Sequence, residues 1–262
     1  MAFIQCDFFS EALGLSCSMN VILPQATRQQ IGMKGAAGIG PHPVLWLLHG
    51  ASDDHTIWMR RTSIERYVSG LGIAVVMPAA NVSFYQNMAS GPQYGTFISE
   101  ELPAIARSFF PLSDKREDNF IAGLSMGGYG AMHVGLSHPE RFAAVVSLSG
   151  VLDIADIAKE DDPGRQNWMR TVFGEEYPDL KGHPADLLSK LENHKATGTD
   201  LPKLFACCGR EDFLIEHNRT FNRKCAELGI PLEYIENEGS HEWGYWDVMI
   251  QDVLKWLPLQ KA

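Results

Sequence analysis

The sequence predicts a single α/β domain, with a mostly parallel sheet covered by helices on both faces. Three observations carry that expectation. Short runs at 44–48, 73–77, 120–122, 143–148, 204–208 and 232–235 are largely apolar without alternation, as strands buried on both faces must be. Segments of helical character at 56–68, 97–109, 126–137, 215–228 and 243–257 fall between or after them, and alternation of this kind builds parallel sheets. The chain has 262 residues, 45% of them apolar, which is enough for one large core.

Taken in order, residues 17–23 mix apolar and small side chains and read as an early strand. The stretch 32–43 holds four glycines and two prolines and reads as an exposed loop. The run 44–48 is the first central strand, and 73–77 is a second, stopped by Pro78. The run 120–122 feeds a glycine-rich turn and then the helix expected at 126–137. Residues 151–199 break the rhythm: the stretch is long, charged and proline-containing, and it carries Trp168 and Phe173. We expect an insertion there, cap-like over the C-terminal edge of the sheet, where α/β folds take their ligands.

Composition narrows the partners. Lys and Arg total 22 against 32 Asp and Glu, a formal charge of −10. Nucleic acid and anionic membrane surfaces both demand a basic footprint, so neither is expected. No apolar stretch approaches the roughly 18 residues of a membrane span. The first residues lack a positive segment followed by an apolar run, so a secretory signal is not expected. Cys6, Cys17, Cys207, Cys208 and Cys225 are odd in number and form no C-x-x-C pair. They read as reduced, mostly buried thiols of a cytoplasmic protein, not as a disulfide framework or a zinc site.

Gly123-Leu124-Ser125-Met126-Gly127 matches G-x-S-x-G. Composition alone produces such a pentapeptide in roughly one chain of this length in ten, so context must decide. The motif follows an apolar run and opens a helical segment, which is the strand–turn–helix setting of the nucleophile elbow in the α/β-hydrolase fold. The turn forces the serine into a strained conformation and brings the residues two before and two after it together, so those two must be small.

That fold orders its triad Ser, then Asp or Glu, then His. Asp212 leaves the run 204–208 in a loop before a helix, and His241 follows the last strand candidate. His42, His49 and His55 precede the serine; His133 and His138 lie in or just after the elbow helix; His183 and His194 precede the acid. His217 falls in the next helix and is expected on the surface. Asp153, after 143–148, is the alternative acid, and Glu211 is expected to be solvated. The base would take the Ser125 proton and return it to a leaving group, while Asp212 would hold the imidazole tautomer. His49-Gly50-Ala51 follows the first central strand, so the N–H groups of Ala51 and Met126 are the candidate oxyanion donors.

Residues 44–51 (VLWLLHGA), 120–130 (FIAGLSMGGYG) and 241–246 (HEWGYW), with Lys115-Arg116-Glu117 and Asp212-Phe213-Leu214, resemble the "Putative esterase" family, in particular its tributyrin esterase branch. The resemblance covers almost the whole chain. It implies a serine carboxylesterase acting on small-molecule esters of short acyl chains, acetyl to butyryl, with no metal or organic cofactor. It carries the triad onto Ser125, Asp212 and His241 and the oxyanion donors onto Ala51 and Met126. The family also holds S-formylglutathione hydrolases, feruloyl esterases, esterases of acetylated sugars and acyltransferases, which stand as alternatives. Ala51-Ser52-Asp53-Asp54 does not look like the formylglutathione branch. A catalytically silent binding protein on the same fold is the non-enzyme alternative. Oligomeric state stays open, a homo-oligomer included. Trp243 is expected to border the substrate pocket, with Phe84, Tyr85, Trp168 and Phe173 as further candidate lining.

Overall fold

The computed structural model describes residues 1–159 and 161–259. Among them, strands β1 (Ala2–Ser10), β2 (Leu15–Leu23), β3 (Val44–Leu48), β4 (Ala74–Pro78), β5 (Asn119–Leu124), β6 (Ala144–Leu148), β7 (Lys203–Gly209) and β8 (Leu232–Asn237) form one sheet. Its order is β1-β2-β4-β3-β5-β6-β7-β8. From β4 to β8 every pairing is parallel, while β1 and β2 form an antiparallel hairpin that joins β4 antiparallel. The sheet is that of an α/β-hydrolase.

β1 was not expected. Apolar and polar residues alternate only from Ile4 to Phe8, and most of the strand is exposed or half-buried, so it lacks the continuous buried apolar run that marks the central ones. A sheet edge open to solvent needs only one apolar face.

The helices are α1 (Ile57–Arg61), α2 (Ile64–Val68), α3 (Tyr94–Thr96), α4 (Leu102–Phe109), α5 (Met126–Ser137), α6 (Ile154–Ile157), α7 (Pro163–Phe173), α8 (Leu187–Thr197), α9 (Ile215–Leu228) and α10 (Trp243–Trp256). The single helix expected at 56–68 is two short ones. The Thr62 hydroxyl bonds the Trp58 carbonyl and takes the Ile64 N–H, which turns the chain between them. The helix expected at 97–109 starts at Tyr94 and contains a π-helical stretch, Phe97–Glu101.

Alternate residues of each central strand feed two cores. Val44, Trp46 and Leu48 pack with α4, α5, α8 and α9 on one face; Leu45 and Leu47 pack with α1, α2 and α10 on the other. The chain runs from β3 to β4 on one side and then crosses back to place β5 on the other. Connections therefore diverge at the C-terminal ends of β3 and β5, opening a crevice between them where α/β sheets bind ligands. In the 151–199 stretch, α8 packs on α5 and α9 as part of the outer layer. The α6–α7 portion instead reaches the crevice, to which it contributes Ile157, Arg165 and Trp168.

Candidate active site

Ser125 sits between β5 and α5 with φ 54° and ψ −119°, a conformation that costs a non-glycine residue of order 1–3 kcal/mol. The surroundings hold it there. A Cβ on Gly127 would lie 2.6 Å from the His49 carbonyl and 2.7 Å from that of Leu48, and one on Gly123 would run into the Gly127 carbonyl. Only glycine lets β3, β5 and α5 approach this closely. As the first residue of α5, Met126 has no carbonyl one turn earlier to bond, so its N–H is left for another acceptor. Ala51 follows β3, and its N–H has no protein acceptor among the described residues. Both residues line the same cleft as Ser125.

His241 reaches this cleft from the loop before α10, and Asp212 from the loop after β7. The two loops touch backbone to backbone: a side chain on Gly209 would collide with the Gly239 carbonyl. That contact brings together residues 29 apart in sequence. The His241 Nε2 lies 3.0 Å from the Ser125 Oγ, and its Nδ1 lies 2.9 Å from Asp212 Oδ2 and 3.0 Å from Oδ1. With the proton on Nδ1, the imidazole donates to the carboxylate and its Nε2 can accept from the serine hydroxyl. The structure thus joins the three residues predicted as a triad in one chain of hydrogen bonds.

The Asp212 side chain is fully buried, whereas the imidazole is 18% exposed. Burial pushes the Asp212 carboxyl up. Hydrogen bonds from His241 and from the Leu214 N–H (2.8 Å), the His241 charge and the Ser149 hydroxyl outweigh burial, so the carboxyl sits below its ordinary range. Asp153, the alternative acid, is engaged elsewhere: its Oδ1 caps α6 by accepting the Asp156 N–H at 3.1 Å. His217 is buried against α6, 3.5 Å from Asp156, and not on the surface, because its helix face turns toward the outer core.

Sequence reasoning missed two supports. Ser149 follows β6 with φ 48°; the Trp246 indole donates to its Oγ at 3.1 Å, and its hydroxyl helps to hold the Asp212 carboxyl low. Trp246 also meets the His241 ring edge-on, centroids 4.8 Å apart. The dipeptide after a buried strand gives no hint of that left-handed turn, since serine rarely adopts it. His49 is the second. Its Nδ1 bonds the Gly50 carbonyl at 2.7 Å, its Nε2 accepts the Ala80 N–H at 2.9 Å, and its own carbonyl accepts the Tyr85 hydroxyl at 2.8 Å. Burial lowers its pKa, consistent with a neutral ring.

The cleft has a volume of about 510 Å³. Trp243, Phe84 and Trp168 line it, as expected. Tyr85 and Phe173 do not: Tyr85 is buried beneath, bonded to His49, and Phe173 stands behind Phe84 with ring centroids 5.9 Å apart. Asp53, Glu242 and Arg165 supply charge, and Phe213 lies 4.5 Å from the His241 ring. A larger cavity of about 800 Å³ sits at the N-terminal ends of β7 and β8, remote from Ser125. Among the described residues no cluster of three or more His, Cys, Asp or Glu is placed to hold a metal ion. No helix among them is long and apolar enough to cross a membrane.

Such an arrangement can activate a serine, hold a tetrahedral oxyanion and protonate a leaving group. The chain matches the family model described as "Putative esterase" over residues 10–257. It is 33% identical to an "Acetyl esterase" of Caldicellulosiruptor saccharolyticus, covering 98% of each chain. Among solved structures it resembles FphF, a fluorophosphonate-binding serine hydrolase of Staphylococcus aureus, with a TM-score of 0.87, 34% identity and 98% coverage of both chains. It resembles the S-formylglutathione hydrolase FrmB of the same organism with a TM-score of 0.84, again at 34% identity and 98% coverage of both. The chain belongs to the "Putative esterase" family and is a serine esterase of the α/β-hydrolase fold.

Proposed function

We propose that this esterase hydrolyses short-chain acyl esters, acetyl to butyryl, through an acyl-enzyme on Ser125. The observation that carries the reading is the unbroken Ser125–His241–Asp212 relay, with contacts of 3.0 and 2.9 Å, opening into a cleft of limited volume. Its likeness to an acetyl esterase over nearly its whole length supports the choice of acyl group.

Ser125 Oγ attacks the acyl carbon while its proton passes to His241 Nε2. The carbonyl oxygen becomes an oxyanion between the Ala51 and Met126 N–H groups, each donor being worth about 10²–10³ in rate. The bond to the alcohol oxygen then breaks, and His241 gives that oxygen its proton. Water repeats the attack with His241 again as base, and Ser125 leaves with its proton. Asp212 stays ionised and holds the imidazole. The α6–α7 portion of 151–199 acts as a partial cap over the cleft within one domain. Trp243 forms part of the substrate wall. A cytoplasmic setting fits the three buried thiols Cys207, Cys208 and Cys225.

The test is a series of p-nitrophenyl esters from acetyl to palmitoyl, with fluorophosphonate labelling. Activity should fall steeply beyond about four to six carbons, a pattern expected of a closed acyl pocket. Labelling should vanish in Ser125→Ala. Equal rates on long chains, or labelling retained in the variant, would contradict the proposal.

A second reading, S-formylglutathione hydrolysis, is favoured by the likeness to FrmB. Against it, the cleft presents the Asp53 and Glu242 carboxylates beside Arg165, an unfavourable balance for an anionic tripeptide thioester. Comparing kcat/KM on that thioester and on p-nitrophenyl acetate decides between them.

A further inference from the structure

A second, open apolar groove adjoins the catalytic cleft. It has a volume of about 360 Å³ and is lined by Ala51, Val82, Met88, Asn167, Trp168 and Thr171. Ala51 and Trp168 line both spaces, so the two share a wall. The Trp168 indole is fixed in that wall. Its N–H donates to the Val82 carbonyl at 2.6 Å, and its ring stacks on Phe84 at 4.5 Å and 26°. Phe84 is itself fully buried and meets Tyr129 edge-on at 5.6 Å.

The orientation of the reacting ester decides which part of a substrate faces this wall. The leaving oxygen must stay within reach of His241 Nε2 to be protonated. Around His241 stand Phe213 and Trp246, with Trp243 against Trp246 at 5.3 Å, so the alcohol occupies that side. The oxyanion lies between the Ala51 and Met126 N–H groups. The remaining substituent of the tetrahedral carbon, the acyl chain, therefore runs along the Ala51 side toward Phe84 and Trp168. A short chain ends against the indole; a longer one would have to pass it to reach the apolar space beyond.

We infer that Trp168 is the divider that sets the upper acyl length, standing between the cleft and a second, open apolar groove able to take medium chains. The inference rests on the esterase reading and on the triad named above. Removing the indole joins the two spaces. Each further methylene buried there then gains about fourfold in kcat/KM, at about 0.8 kcal/mol per methylene.

The experiment compares p-nitrophenyl acetate through octanoate on the wild type, Trp168→Ala and Trp168→Phe, reading the octanoate-to-acetate ratio of kcat/KM within each protein. The ratio should rise at least about tenfold in Trp168→Ala and less in Trp168→Phe. Adding Thr171→Trp, one helical turn away in the outer space, should return it toward the wild-type value. Alkyl acetates from ethyl to octyl, run in parallel, should show no such shift. A folded Trp168→Ala with the wild-type ratio would overturn the divider. A shift confined to the alkyl acetates would overturn its assignment to the acyl group. A wild type inert on every ester would overturn the esterase reading beneath it. Should Trp168→Ala not fold, an unchanged ratio in Trp168→Phe together with no effect of Thr171→Trp on the wild-type profile overturns the divider equally.

Discussion

Replacing Asp212 by Asn tests the relay at its least exposed member. The carboxylate accepts from His241 Nδ1 and from the Leu214 N–H at 2.8 Å, and its side chain has no solvent to turn to. An asparagine can keep the Leu214 bond through its Oδ1. Its Nδ2 then faces His241 Nδ1 with hydrogens of its own. Two donors cannot share that contact, so the imidazole shifts its proton to Nε2. Nε2–H now points at Ser125 Oγ and cannot take the serine proton. The serine and the Ala51 and Met126 N–H groups keep their places, so the backbone should be unaltered while the base is disabled. The expected loss is about 10⁴ in kcat, or about 5.5 kcal/mol of transition-state stabilisation. The assay is steady-state hydrolysis of p-nitrophenyl acetate near pH 8, with circular dichroism as the check on folding and fluorophosphonate labelling expected to slow in parallel. A folded variant within about tenfold of wild type would refute the tautomer argument and move the acid to another residue.

Three further predictions follow from the surroundings. Ser149→Ala removes the acceptor of the buried Trp246 N–H and a hydroxyl that helps to hold the Asp212 carboxyl low; it should lower stability by about 1–3 kcal/mol and move the acid edge of the pH–rate profile upward, and an unshifted profile would deny Ser149 its positioning role. Gly127→Ala forces a methyl to within 2.7 Å of the Leu48 carbonyl on β3, so the melting temperature should drop by about 4 °C or more; a change under about 1 °C would mean the elbow has room to spare. Burial lowers the pKa of His49, and that of His133 falls to about 3, so both rings bind protons in the unfolded chain below about 6.5 but not in the folded one. Their contribution is complete above that pH and is lost as pH falls. Urea midpoints should decline from pH 6.5 toward 4, and His133→Phe should remove on the order of 2 kcal/mol of that slope; an equally steep decline in the variant would refute it.

The central strands and the elbow were legible because their physics is local. A strand buried on both faces must be continuously apolar, and a serine squeezed between two backbones needs glycines at fixed offsets. Asp212 and His241 were legible because the fold permits only one order along the chain. What stayed hidden depends on contacts between distant segments. β1 carries a weak alternation that only its partner strand makes meaningful. Ser149 looks like any residue leaving a strand until Trp246 and Asp212 arrive beside it. Tyr85 and Phe173 are aromatics next to the cleft in sequence terms, yet packing turns one beneath it and the other behind. His217 sits on a helix whose inner face could be told from its outer one only once α6 was known to lie against it.

The bonds of His49 tie the tip of one central strand to the chain leaving its neighbour, while Tyr85 pins the same tip from below. This brace is assembled when the protein folds and costs nothing at turnover. On the proposed reading, the Ala51 and Met126 N–H groups that take the oxyanion are held in place before any ester arrives, so the reorganisation that water would have to perform in free solution is completed in advance. A catalyst built this way should lose speed, more than affinity, when the brace is loosened from a distance.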